Sequence, residues 1–312
     1  MSKAREIILQ RLATTGSAIQ EPLLIDRTLT DNEWNDRARL LRNGLMVVAF
    51  NSLEDFVRQR TAELLSFASR TTLKFADLPA ELRKASVLHA FQSAHAYAQM
   101  AARQGEDAMA ILQTVAAEVA STVAGPLSIS RYSLGYKGSN VTKDEIGGML
   151  KTLNVRDAWR EIASLSSRAG LGVIAIDTSY DQAQRLRNAA AHRPDAGVQP
   201  TDLGSFCQTA FAVAFGFDVL ASRAARLIHE GDRTFVDQPQ QKVSGSVKLL
   251  FVDERGGEFF VKREGGSRSL KRFTDRESAW NDAVTRARQS WEVVVERNQA
   301  GSPVRWTSTD AP

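Results

Sequence analysis

Leu186-Arg187-Asn188-Ala189-Ala190-Ala191-His192-Arg193-Pro194-Asp195 is the stretch from which the fold is read. Pro194 cannot continue a helix, so an arriving helix stops at about His192. Upstream, Ser179-Tyr180-Asp181-Gln182 fits a capping box, which starts the helix near Ser179 and makes it about 13 residues long. His192 then falls in the last turn and Arg187 near the middle. An Arg and a His at one end of a rigid rod suit charge stabilisation and proton transfer on a phosphodiester.

Working outward, the flanking chain reads as helical over most of its length. Ser2 to about Gly16 forms a short helical pattern around Ile8 and Leu12, and Thr30-Asp31 opens a long run from Glu33 to about Ser69. Apolar residues recur there at helical spacing through Leu45, Val48, Leu53, Phe56 and Leu64, with Glu54 interrupting the stripe. Arg58, four residues on, gives that acid a surface ion-pair explanation. Asp77-Leu78-Pro79 starts another helix to about Arg103, and Glu106 to Val123 forms one more. Residues 125–140 are rich in Gly, Ser and Tyr and read as a loop. Asn140 to Asn154 then carries a short capped helix, Val155 to about Ser167 another, and Thr201-Asp202 caps a run to about His229.

Composition shifts after Gly231. Residues 236–245 are polar and contain Pro239, as a linker does. Val247–Val252 and Glu258–Arg263 read as a hairpin, Thr274-Asp275 to Ser290 as a helix, and Trp291–Arg297 and Val304–Thr307 as two more strands. The expected fold is mainly α: a helical domain at 1–235, the linker, and a small α+β (ββαββ) module at 246–312.

Bulk properties bound the function. The chain has 312 residues, 43% hydrophobic and 24% charged, with a net charge of +4 that permits nucleic acid without arguing for it. The single Cys207 lies in an apolar run and reads as a buried free thiol, so no internal disulfide forms and a reducing compartment fits. Met1-Ser2-Lys3-Ala4-Arg5-Glu6 lacks a signal-peptide apolar core, and charges interrupt the apolar stretches before a membrane span is complete. A cytoplasmic protein with no membrane contact is the expectation. No P-loop, dinucleotide turn, HExxH or zinc spacing is present, so neither metal nor cofactor is expected.

Arg followed four to six residues later by His is a weak pattern. Arg83 with His89 and Arg223 with His229 also match it. Three features set Arg187 apart. Asn188 sits four residues before His192 on the same face, the intervening alanines allow close approach, and the helix ends just past the imidazole. His89 and His95 interleave an apolar pattern and read as packed, and His229 ends a helix, where a cation favours the dipole.

With Arg187-Asn188-x-x-x-His192 ending a late helix in an all-helical body, residues 30–230 resemble the HEPN superfamily, more narrowly its RiboL-PSP-HEPN branch. Asn51-Ser52-Leu53-Glu54-Asp55-Phe56 is similar to the acidic segment of that branch's first core helix. Asn140-Val141 leading to Leu153-Asn154-Val155 is similar to its asparagine-bearing segment. The resemblance implies a metal-independent endoribonuclease, of a kind found in antiviral defence or toxin–antitoxin systems, working as a homodimer whose motif helices meet in one cleft. Its site residues would be Arg187, His192 and Asn188, supported by Glu54 and Arg185. Read from the residues themselves, Arg193, Tyr132 and Lys137 would touch RNA.

The helix geometry bears on that expectation. Residues five apart on an α-helix are separated by roughly 140°, so Arg187 and His192 splay unless the last turn unwinds. Arg185, seven before His192, returns to nearly the same face. A two-fold axis can bring one chain's Arg to the other's His. The 2′-hydroxyl would then attack the adjacent phosphorus, leaving a 2′,3′-cyclic phosphate and a 5′-hydroxyl. His192 would serve as acid or base, Arg187 would stabilise the developing charge, and Asn188 would orient the His or bind a phosphate oxygen. Glu54 would fix the Arg or the imidazole tautomer. Tyr132, Tyr136 and Lys137 can also be read as plain loop decoration. The rival reading is a non-catalytic helical module that binds RNA, a nucleotide or a protein, as partner of a toxin or defence complex.

Overall fold

The computed structural model describes residues 2–135, 141–193 and 195–311. Lys137, with Tyr136, Asn140 and Pro194, lies outside the described residues. In chain order the helices are α1 (Lys3–Ala18), α2 (Asn32–Ala68), α3 (Ala80–Lys84), α4 (Ala90–Arg103), α5 (Ala108–Ala120), α6 (Lys143–Thr152), α7 (Ala158–Ala169), α8 (Ile176–His192), α9 (Pro200–His229) and α10 (Arg233–Val236). The sheet module follows as β1 (Lys248–Arg255), β2 (Glu258–Arg263), β3 (Lys271–Phe273), α11 (Arg276–Ser290), β4 (Glu292–Arg297) and β5 (Pro303–Ser308). A mainly α protein with a small α+β module at its C-terminal end is what the chain forms.

Local chemistry sets several of these starts. Asp31 accepts the Trp34 N–H and opens α2, and Thr142 and Glu145 close a reciprocal capping box on α6. Asp275 accepts from Ser278 and opens α11. The cap of α9 falls two residues earlier than expected, on Gln199 and Asp202 with Pro200 at the first helical position. The helix expected from about 79 to 103 runs unbroken from Ala80 to Arg103, with a π turn at Ala85–His89 between α3 and α4.

The centre of the body is α9, where Ala212–Ser222 is buried without interruption. Its apolar window is long enough to cross a membrane, yet 72% of it is buried inside the protein. This is a core helix, wrapped by α1, α2, α7 and α8. The closest approach is at Gly216, where an added Cβ would lie 2.8 Å from Ile162 Cγ2 and 3.0 Å from its Cα. The backbone of α7 cannot retreat far in a packed core. Gly216→Ala is expected to lower the unfolding free energy by about 1–3 kcal/mol, read from urea denaturation, through overpacking.

The sheet runs β3-β2-β1-β4-β5, with β1 and β4 parallel and the other pairs antiparallel. Strand period sorts its residues onto two buried faces. Leu250, Val252 and Val294 meet α11, while Leu249, Phe251, Val293 and Val295 join the core of the helical body. The three-residue edge strand β3 makes the module ββ(β)αββ rather than ββαββ. It is too short to show an alternating pattern.

The polar segment 236–245 is stitched to the body. Asn154 Nδ2 donates to the Phe235 and Gln238 carbonyls at 2.7 and 2.8 Å, and its Oδ1 accepts the Gln240 N–H. Glu161 accepts both the Val243 and Ser244 N–H groups. Trp306 of β5 packs edge-on against Phe211 and Phe215 of α9. The side chains of body and sheet therefore share one core.

Candidate functional site

The motif helix is longer than its sequence signals. α8 spans 17 residues and starts at Ile176, after Ala175 in the left-handed region (φ 48°). Ser179 therefore does not cap it; its hydroxyl donates back to the Ile174 carbonyl from within the first turn. Burial of Ile176 in the core, rather than a polar cap, fixes the start. At the far end the helix stays regular, since the Arg193 N–H still reaches the Ala189 carbonyl at 2.8 Å. The last turn does not unwind, and the splay of about 140° between Arg187 and His192 stands.

One side-chain contact with α2 and one within α8 fix Arg187. Arg187 donates to Asn51 Oδ1 at 2.8 Å and to Asn188 Oδ1 at 3.2 Å. Beyond the helix, Asn43 donates to the Ala196 carbonyl and accepts the Val198 N–H, and Arg42 Nε donates to the Val198 carbonyl at 2.6 Å. The helices run antiparallel between these anchors. Leu41, Gly44, Val48 and Asn51 form one outward stripe of α2, of which Val48 and Asn51 line an open groove with Gln10, Arg11 and Thr14 of α1. Val48 is 62% exposed, and a Cβ on Gly44 would meet nothing within 4 Å.

His192 is exposed and forms no hydrogen bond or ion pair among the described residues. Asn188 lies one turn before it. Arg185 is also exposed, and its spacing puts it on nearly the same face. Arg193 is exposed and pairs with Asp195 at 3.2 Å, a surface contact worth little. Arg187 is half-buried, with its Nε buried and without a partner.

Glu54 lies one turn along α2 from Asn51. It is buried, and its carboxylate accepts the Val141 N–H, while Tyr180 donates to the Val141 carbonyl. Burial raises its carboxyl above the ordinary 4.5, opposed by the Val141 hydrogen bond and the charges of Arg58 and Arg187. Glu54 thus biases Arg187 through space and anchors the chain entering α6. Lys143 ties that same turn to α8, through Asp177 and Asp181 at 3.2 and 3.1 Å.

A carboxyl raised on folding stabilises fully below its unfolded value and loses that contribution as pH climbs toward the folded one. Glu54→Gln keeps an acceptor for Val141 and removes the buried charge. Its melting temperature is expected to match or exceed the parent at pH 8 and to fall less between pH 4.5 and 8. Glu54→Ala strands the Val141 N–H and should cost about 1–3 kcal/mol.

Tyr132 is placed elsewhere. It packs on Tyr97 with ring centroids 5.3 Å apart, beside Arg58, about 10 Å further along α2 than Asn51. His95 is exposed beside Gln99 rather than packed, and His229 stacks on Phe67 at 4.4 Å. Cys207 is half-buried rather than buried, and its thiol is pushed up to about 11 by burial, which keeps it protonated near neutrality. Among the described residues no cluster of His, Cys, Asp or Glu could hold a metal. Comparison with known protein families, curated proteins and solved structures finds no match.

Proposed function

We propose that this protein is a metal-independent endoribonuclease of the HEPN type, acting in the cytoplasm as a homodimer in antiviral defence or as a toxin. One observation carries the reading. His192, without a partner among the described residues, ends the regular helix that also carries Arg187, which Asn51 of α2 and Asn188 hold in place. Within one subunit the Arg and His diverge. Two α8 helices facing each other across a two-fold axis would bring Arg187 of one and His192 of the other to a single phosphodiester. His192 then moves the proton of the 2′-hydroxyl or of the leaving oxygen, and Arg187 neutralises the phosphorane-like charge. Asn188 presents its amide on the His face. Arg185 and Arg193 add positive charge at the rim, where RNA arrives.

The test is RNA cleavage in chelator. Products ending in 2′,3′-cyclic phosphate, and resistance of a substrate with a 2′-deoxy scissile position, are expected. Dependence on a divalent cation, or full activity in His192→Ala, overturns the proposal. Arg187 already donates to two amides, which favours a second reading as a binding module. RNA bound but left intact by the parent protein identifies that case.

A further inference from the structure

At the opposite end of α9, about 40 Å from its start, the body and the sheet enclose a second concavity. Its volume is about 680 Å³, within the range of small-molecule sites. Five segments line it: Arg5 of α1, Phe67 of α2, the last turn of α9, one stripe of α11 with Trp291, and the end of β5 with the residues after it.

Trp291 ends α11 with φ at 54°, the left-handed region that normally takes glycine at a helix end. The backbone accepts strain there to hold an indole that is 44% exposed at the mouth. Arg226 lies over its ring at 4.5 Å. Arg288, one turn earlier on α11, is exposed and makes no hydrogen bond or ion pair among the described residues. At the inner end, Asp310 is 2% exposed. Its Oδ1 accepts from Arg223 at 2.9 Å and faces Arg226 at 2.8 Å, while its Oδ2 is buried without a donor among the described residues. His229 Nδ1 is likewise buried without a partner. Glu230 is drawn off by Arg226 at 3.3 Å.

We propose that this cleft between body and sheet binds a nucleotide, with the base stacked at Trp291, its polar edge turned toward Asp310 and His229, and the phosphate on Arg288. A flat π-face, a rim guanidinium and a buried unsatisfied acceptor match the three parts of that ligand. A purely apolar ligand would leave Arg288 and the Asp310 oxygen unanswered. A simple anion would leave the indole unused. The nucleotide is either free or the end of an RNA strand, and the site stands apart from the α8 cleft.

The full chain is titrated with the four nucleoside 5′-monophosphates and, separately, with a three-nucleotide RNA, followed by calorimetry and tryptophan fluorescence. Saturable binding of at least one is expected, weakened tenfold or more in Arg288→Ala and abolished in Trp291→Gly. Arg288→Ala should melt with the parent, and Trp291→Gly should melt no lower, because glycine relieves the backbone. His192→Ala should bind like the parent, which separates this site from the nuclease reading. Binding by the monophosphates assigns a free nucleotide, and binding by the RNA alone assigns a strand end. No saturation at millimolar ligand, or unaltered binding in both variants, overturns the site.

Discussion

Asp218→Ala is expected to lower the unfolding free energy by about 3–5 kcal/mol, the largest stability effect of any single change considered. Asp218 is 0% exposed and accepts from Arg5 Nε and Arg60 Nε, each at 2.6 Å, from Trp306 Nε1 at 2.7 Å and from Ser222 at 3.0 Å. One carboxylate thus joins α1, α2, α9 and β5. Removing it strands two buried guanidiniums. Arg60 retains Glu63 at 2.7 Å, so Arg5 suffers most, left with Thr307. Burial pushes the Asp218 carboxyl up, but the charges of Arg5 and Arg60 and the hydrogen bonds outweigh it, holding the group well below the ordinary 3.8. A depressed folded value means stability that is present above the unfolded value and lost as pH falls below it. The parent should therefore lose stability below about pH 4, and Asp218→Ala should lose less over the same interval. Urea midpoints at pH 7 and pH 3 check both. A loss under 1 kcal/mol at pH 7 would show that the two arginines find water or other partners.

That node also shows which features the sequence can display. Short-range chemistry was legible: Asp31, Thr142 with Glu145, and Asp275 announce helices because each acts within three residues of itself. The continuous apolar run Leu249-Leu250-Phe251-Val252 announces a strand, and its two faces separate into the two cores. The start of α8 was not legible. Ser179 and Gln182 imitate a cap, whereas the true start depends on burying Ile176 and on a left-handed alanine that no local pattern marks. Residues 236–245 look like a free linker because their polar groups are answered by Asn154 and Glu161, more than 70 positions away. The candidate site divides the same way. Arg187, Asn188 and His192 were visible as a motif, but the partners that orient them, Asn51, Arg42 and Asn43, become functional only through pairing of distant helices. Lys137 lies outside the described residues, and Tyr132 faces Tyr97 instead of α8.

His192→Ala is expected to reduce RNA cleavage by roughly 10²- to 10⁴-fold, the cost of removing a general acid or base. Arg187→Ala should fall in the same range or below it, since the guanidinium stabilises charge only as the transition state forms. The regular end of α8 makes a sharper test possible. Since Arg187 and His192 splay around one helix, the proposed site draws its working pair from two chains. Each single variant is then inactive as a homodimer, yet a mixed dimer of Arg187→Ala and His192→Ala holds one site with both groups intact. Random exchange of equal amounts should restore about a quarter of the parent rate, since half the dimers are mixed and each keeps one of two sites. Pairing within one chain predicts no recovery, because every subunit then lacks one member. Val48→Glu, on the open stripe of α2 that carries Asn51, should abolish both dimer and activity while the monomer stays folded, because Val48 is exposed and contributes nothing to the core. A monomeric Val48→Glu protein that still cleaves RNA would sever the link between the two-fold arrangement and the chemistry.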